Sequence, residues 1–179
     1  MTALLLISRR IDQLSRLAGQ LAIALVLICA LVSAFNALSR YAFDLSSNAW
    51  LELQWYMFGG IVLLGAPHVL CLNGHVRVDL FYSRLSDRGR LWLDLAGFIF
   101  FLLPFSALMV MYSWPWFLEA WQLQETSANA GGLLRWPVKL LLPTGFALLM
   151  LQGFSEIIKR IAALKGLIQL DPHYERPAA

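Results

Sequence analysis

The 179-residue sequence has few charged side chains: Asp, Glu, Lys and Arg make up 14% of it, whereas 59% of the residues are hydrophobic. Soluble domains carry about 25% charged residues, so this composition excludes an ordinary globular protein. The sequence also has only two cysteines, Cys29 and Cys71, which excludes a disulfide framework. Because each lies in an apolar segment of its own, we expect both to act as small packing residues.

Motifs for catalysis or cofactor binding are also missing. Of the three histidines, only His68 lies in an apolar segment, whereas a bis-histidine haem needs two facing imidazoles. The sequence contains no nucleophile with a matching base, no glycine-rich phosphate loop and no zinc-ligand spacing. We therefore expect no enzyme, no metal site and no cofactor. The net charge of +3 comes without a basic stripe, so we expect no nucleic-acid partner.

Four apolar segments are long enough to cross a membrane as helices. A hydrocarbon core about 30 Å thick needs roughly 20 apolar residues in helical form. The four runs cover residues 17–38, 50–72, 91–112 and 138–158. We predict an all-α, four-helix transmembrane bundle over residues 17–160, preceded by a segment at 1–16 and followed by a tail at 161–179.

The basic residues predict the orientation of this bundle. Eleven of the fourteen Lys and Arg residues lie in the first segment, in the loop between spans two and three, and around the tail. The other three are Arg40, Arg135 and Lys139. Since loops rich in Lys and Arg stay in the cytoplasm, we predict that the N and C termini are both cytoplasmic.

The N-terminal segment has its own amphipathic pattern. Leu4, Ile7, Ile11 and Leu14 recur at helical spacing, with charged and polar residues between them. This pattern predicts a short interfacial helix on the inner membrane surface, in contact with lipid. An unstructured N-terminus is the alternative.

Small residues predict where helices approach closely. Lipid gives no hydrophobic drive between helices, so close backbone packing matters more in a membrane than in water. The first span carries one such face and the second span another, and we expect them to meet each other or a partner subunit. The residues are Ala30, Ser33, Ala34 and Ala37 in the first span, and Gly59, Gly60, Gly65 and Ala66 in the second. Pro67, Pro104 and Pro143 are expected to bend or start helices.

Charged residues in the spans are few and lie near the span ends. Glu52 is in the first turn of the second span, where a helix N-terminus favours an anion. A pair with a basic residue of another subunit is the alternative. Asp94 is expected to reach water or Arg90, and Glu156 lies four residues before Arg160. This distribution does not predict a proton path across the bilayer.

Two motifs together resemble a known family. The first is Arg40-Tyr41-Ala42-Phe43 followed by Trp50-Leu51-Glu52-Leu53, and the second is the loop Gly74-His75-Val76-Arg77-Val78-Asp79. Over roughly residues 15 to 165 the sequence resembles the small membrane subunit, of the DctQ type, of tripartite ATP-independent periplasmic (TRAP) transporters.

The resemblance implies a scaffold subunit in the bacterial inner membrane. Its partners would be a large membrane subunit and a periplasmic substrate-binding protein, and the complex would import an organic acid driven by a sodium gradient. The subunit-interface or structural positions implied by the resemblance are Arg40, Tyr41, Trp50, Glu52, His75, Arg77 and Asp79, and the small-residue face of the second span adds Gly59 and Gly60. The alternatives are a membrane anchor of a respiratory or redox complex and a small independent exporter.

Overall fold

The chain folds into four long helices in a computed structural model that describes residues 1–45, 47–74, 82 and 84–169. They are α1 (Thr2–Phe43), α2 (Asn48–Cys71), α3 (Asp87–Gln122) and α4 (Trp136–Leu164). Each is long and apolar enough to cross a membrane, and in the described part of the chain the only β pairing is an isolated bridge between Thr126 and Leu134. The predicted all-α fold with four spans is confirmed.

The N-terminal segment belongs to α1 and is not an element of its own. α1 contains no proline, so no residue removes a backbone hydrogen bond between the predicted surface helix and the first span. The first turns pack on α4: Ser8 Oγ lies 2.7 Å from Ser155 Oγ, and Ser15 Oγ donates to Gln152 Oε1 at 2.7 Å. Residues 2–16 are therefore helical and packed against α4, while their place relative to a membrane surface stays a prediction.

α1 and α2 pack antiparallel along small residues. The ring of His68 lies directly over Gly19, and a Cβ atom at Gly65 would meet Ala22 at 3.7 Å. A Cβ at Gly60 would come within 3.0 Å of a Leu25 methyl group. The glycines of α2 thus allow α1 to approach, but they meet residues other than the predicted small face of α1.

α4 is the helix that the others share. It packs parallel to α2, where a Cβ at Gly145 would lie 2.7 Å from Leu63 Cβ, and antiparallel to α1. α3 packs mainly on α4, with the rings of Phe105 and Phe146 5.7 Å apart. The bundle is therefore a group of α1, α2 and α4 with α3 lying against one side of α4.

A wide turn interrupts α3 next to a proline. Residues Phe98–Leu102 are π-helical, and the N–H of Leu103 donates to the carbonyl of Phe98, five residues back. Pro104 has no N–H, and its ring collides with the carbonyl four residues earlier in a regular α-helix. The wider turn relieves this collision, so α3 continues to Gln122.

The bundle has two unlike ends. The terminal end holds the start of α1, the end of α2, the start of α3 and the end of α4. The loop end holds the tight α1–α2 connection, where Asp44 has φ 56° and Ser47 caps α2, and the longer α3–α4 connection at residues 123–135.

Candidate functional site

Glu52 fastens the α3–α4 connection to the start of α2. Its Oε1 accepts hydrogen bonds from Ser127 Oγ and, at 2.7 Å, from Asn129 Nδ2, while its Oε2 accepts the backbone N–H of Leu133 at 2.8 Å. Glu52 is only 7% exposed. Three donors from one loop of the same chain surround the Glu52 carboxylate. Neither the helix dipole alone nor a cation from another subunit therefore accounts for the burial of this charge.

The loop has the shape that this anchor requires. The N–H of Ser127 donates to the carbonyl of Leu133 at 2.9 Å, and the N–H of Arg135 donates to the carbonyl of Glu125 at 2.8 Å. Gly131 has φ 71°, a conformation that favours glycine. Gly132 packs so closely on the Ser127 side chain that a Cβ atom would not fit. The two glycines therefore allow a compact turn whose donors point at Glu52.

A second carboxylate fixes the base of the loop to α4. Glu125 accepts from Lys139 and makes an ion pair with Arg135 at 3.3 Å. The hydrogen bond from Lys139 and the charge of Arg135 hold the pKa of Glu125 below its ordinary value of 4.5. Lys139 also lies 4.4 Å from the ring centre of Trp116. Arg135 and Lys139 therefore both form their ion pairs within the chain.

A polar groove of about 520 Å³ opens between α1 and α2 at the loop end. Arg40 lies in its wall and is exposed, and among the described residues it has no hydrogen bond or ion pair. Tyr41 also lines the groove and is 92% exposed. Trp50 packs beside it, edge-on against Phe35 with ring centres 5.9 Å apart. This groove thus brings two of the sequence-predicted site residues, Arg40 and Tyr41, to one concave surface.

A buried polar network joins three helices at the terminal end. Arg160 donates to Asp94 at 3.1 Å and pairs with Glu156, and Lys159 pairs with Glu156 and with Asp12 at 3.2 Å. Glu156 is 4% and Arg160 6% exposed. The expectation that Asp94 reaches water or Arg90 did not foresee Arg160, because that pair spans 66 residues and depends on how α3 packs on α4.

Gln152 extends this network to α1. Its side chain is fully buried, accepts from Ser15, and donates to both Asp12 and Glu156 at 2.9 Å. Ser155 adds a 2.8 Å hydrogen bond to Asp12. No short motif marks these residues. The signal that could have found them is the helical spacing of the polar set Gln152, Ser155, Glu156 and Lys159, which fall at i, i+3, i+4 and i+7 and so share one face of α4.

The remaining predicted site residues lie in other parts of the chain. Gly60 is buried between α1 and α4, and Gly59 lies near Val138 of α4, so both pack within the chain. His75, Arg77 and Asp79 lie outside the described residues. No group of three or more His, Cys, Asp or Glu suited to a metal ion occurs in the ranges that the structure describes.

Comparison with known families decides the assignment. Residues 29–163, about three quarters of the chain, match "Tripartite ATP-independent periplasmic transporters, DctQ component". The chain belongs to the DctQ family. No curated protein and no solved structure matches it. The resemblance of the Arg40–Phe43, Trp50–Leu53 and residue 74–79 motifs is thereby confirmed at the level of the family.

Family membership indicates the kind of protein system to which the four helices belong. DctQ proteins are components of TRAP transporters, so this chain is a multi-pass membrane protein of a transport system. Within the matched residues lie the Glu52 anchor, the loop at 123–135 and most of the terminal-end network. A respiratory anchor is not favoured by this family.

Proposed function

We propose that this DctQ-family chain is the static scaffold subunit of a TRAP transporter in the bacterial inner membrane. It binds a large membrane subunit that holds the substrate and ion sites, and a periplasmic binding protein delivers an organic acid to that complex. A sodium gradient drives uptake. The small subunit enlarges the fixed frame against which the transport domain of its partner moves.

One observation supports the scaffold role independently of family membership. The buried charges in the described part of the chain (Glu52, Lys139, Glu156 and Arg160) are all engaged within the chain itself, where they fasten a loop and join helices. A carrier that moves ions needs charged groups that are free to change partners along a path. Internally satisfied charges instead rigidify a bundle, which suits a frame.

Uptake by whole cells tests this role. We expect that deleting the gene for this chain, with those for the large subunit and binding protein intact, abolishes accumulation of the radiolabelled organic acid. A plasmid copy restores it, and a sodium ionophore abolishes it again in the restored strain. Unchanged uptake in the deletion strain contradicts the scaffold role, whereas uptake that responds only to a proton ionophore contradicts sodium coupling.

The proposed orientation has its own test. With both termini cytoplasmic, a fluorescent protein fused after Ala179 matures and fluoresces, and alkaline phosphatase inserted between Gly131 and Gly132 is active in the periplasm. The opposite pattern of signals would place the terminal end outside.

A further inference from the structure

Two opposite charges face the polar groove at the loop end without pairing with each other. Arg40 and Asp44 are four residues apart, and both line the groove between α1 and α2. Both are exposed, and neither forms a hydrogen bond or an ion pair with a described residue. Opposite charges at this spacing pair when both lie on one helix, but Asp44 follows the end of α1 with φ 56° and so leaves the helical path. The groove therefore presents a guanidinium group and a carboxylate that the described chain leaves unpaired.

Aromatic side chains indicate that this groove lies at the level of the lipid headgroups. Tyr41, which lines the groove, is 92% exposed, and Trp55, next to the groove residue Gln54, is 76% exposed. Exposed Trp and Tyr concentrate at the membrane–water interface, where the ring meets lipid and its polar tip meets water. Arg40 itself lies two residues beyond the apolar run 17–38. Its guanidinium group is therefore within reach of lipid phosphates.

The groove changes from charged to apolar along α1. At 1.5 Å per residue, Ala37 and Ser33 lie about 5 and 10 Å deeper than Arg40. Asn36 lies between these two depths, and its side chain has no hydrogen bond to a described residue. A phospholipid has the same order of groups: a charged headgroup, then ester carbonyls that accept hydrogen bonds, then acyl chains.

The size of the groove distinguishes a lipid from a helix as its occupant. A helix with its side chains is 10–12 Å wide, so two turns of it occupy on the order of 1,000 Å³. The groove holds about 520 Å³, which is too small to take in a helix. Leu31 and Leu38, on the adjoining surface of α1, are 60% and 63% exposed, as expected of large apolar side chains that face lipid.

We propose that this groove binds the headgroup of a zwitterionic phospholipid with a primary ammonium group, of the phosphatidylethanolamine type. Arg40 binds the phosphate through two parallel hydrogen bonds. The ammonium group donates to Asp44, and Asn36 donates to an ester carbonyl. An anionic lipid without the amine leaves Asp44 unpaired beside a phosphate, and a choline headgroup has no N–H to donate. The inference is independent of the scaffold role, because it concerns this chain and the membrane alone.

Lipid binding to the full-length chain tests the headgroup preference. The tagged chain is purified in mild detergent, delipidated, and incubated with phosphatidylethanolamine, phosphatidylglycerol or phosphatidylcholine of matched acyl chains, and native mass spectrometry measures the bound fraction. We expect phosphatidylethanolamine to bind about tenfold more tightly than either of the others, which corresponds to about 1.4 kcal/mol. Equal binding of the three lipids would overturn the proposal.

Two substitutions test the two charges separately. Asp44→Asn removes the carboxylate and keeps a residue that tolerates positive φ. In this variant phosphatidylglycerol should bind as well as phosphatidylethanolamine, because only the phosphate contact remains. Arg40→Gln should lower the binding of both lipids about tenfold. Arg10→Gln, at an exposed position of α1 at the terminal end, is the matched control and should change neither. A preference for phosphatidylethanolamine that survives in both groove variants would contradict the assignment.

Photo-crosslinking identifies the occupant of the groove in the assembled transporter. Benzoylphenylalanine, which is close in shape to tyrosine, replaces Tyr41 in the tagged chain, and this chain is co-expressed with the large subunit and irradiated in membranes. We expect adducts that have the mass of phosphatidylethanolamine. Adducts with the large subunit or with a second copy of this chain would show that protein covers the groove, and they would overturn the lipid site while leaving the scaffold role intact.

Discussion

Glu52 shows how a single carboxylate can organise a loop far away in the sequence. Its partners Ser127, Asn129 and Leu133 lie 75 to 81 residues further along the chain. The Trp-x-Glu-Leu motif identified Glu52 as a position of interest, but its partners depend on α2 and the α3–α4 connection meeting at the loop end. The spacing of residues within a short motif carries no information about the contact between α2 and the α3–α4 connection.

Replacing Glu52 tests this anchor. Glu52→Gln keeps the size of the side chain but supplies one oxygen for three donors, so we expect backbone amide exchange in residues 126–134 to accelerate about tenfold or more, as a local opening. Exchange in α4 near Ser155 should not change. Glu119→Gln is the matched control, because Glu119 is exposed and pairs with no described residue. Equal exchange in the two variants would contradict the anchor.

At the terminal end, Arg160 connects two helices, much as Glu52 connects a helix and a loop at the loop end. Arg160→Met removes the buried cation that joins Asp94 of α3 to Glu156 of α4, and Glu156 then keeps Lys159 as an ion-pair partner. Breaking a buried pair from one side costs about 3–5 kcal/mol, so we expect a large fall in the unfolding temperature of the detergent-purified protein. Arg88→Met, at an exposed position of α3, should leave that temperature almost unchanged. Similar melting of both variants would show that the network does not stabilise the bundle.

At the level of elements, glycine positions set the separation of the helices. At Gly145, an added methyl group would meet the side chain and backbone of Leu63 at 2.7 and 3.0 Å. Gly145→Ala should therefore push α4 from α2 and cost about 1–3 kcal/mol. Gly97→Ala is the control: nothing lies within 4 Å, and alanine favours a helix, so stability should stay the same or rise. Equal losses in both variants would contradict close α2–α4 packing.

The stability of the α3–α4 connection should respond to pH through Glu125. Because Lys139 and Arg135 hold the pKa of Glu125 below 4.5, the pair stabilises the fold fully above that pH. The stabilisation is lost as the pH falls through the lowered pKa of the folded state. We expect the unfolding temperature of the protein to exceed that of Glu125→Gln near neutral pH, with the difference shrinking to nothing in stronger acid. A difference that grows in acid would contradict this.

Element boundaries show what could be predicted from sequence. Long apolar runs predicted four helices, since their length is set by the membrane, and all four were confirmed. The junction at residue 16 was drawn where the pattern changes from amphipathic to apolar. A helix ends where backbone hydrogen bonding is interrupted, however, and nothing between Thr2 and Phe43 interrupts it. The hydrophobic pattern of the sequence likewise could not predict the π-helical turn before Pro104.

The whole molecule follows from these parts. Three helices share one packed group, and α3 lies on α4. The buried charged residues of the described ranges, Glu52, Lys139, Glu156 and Arg160, form their contacts within the chain. Composition predicted the membrane setting, and the family match supplied the transporter. Neither could predict which face stays open, because exposure of the small face of α1 depends on how α2 crosses it.

The most direct test is affinity purification of the tagged chain from its native membranes in mild detergent, with mass spectrometry and a measured subunit ratio. We predict a many-helix hydrophobic partner at one copy per copy of this chain, which remains bound through size-exclusion chromatography. Recovery of the chain alone, or with a haem or iron–sulfur protein, would contradict the assignment as a transporter scaffold.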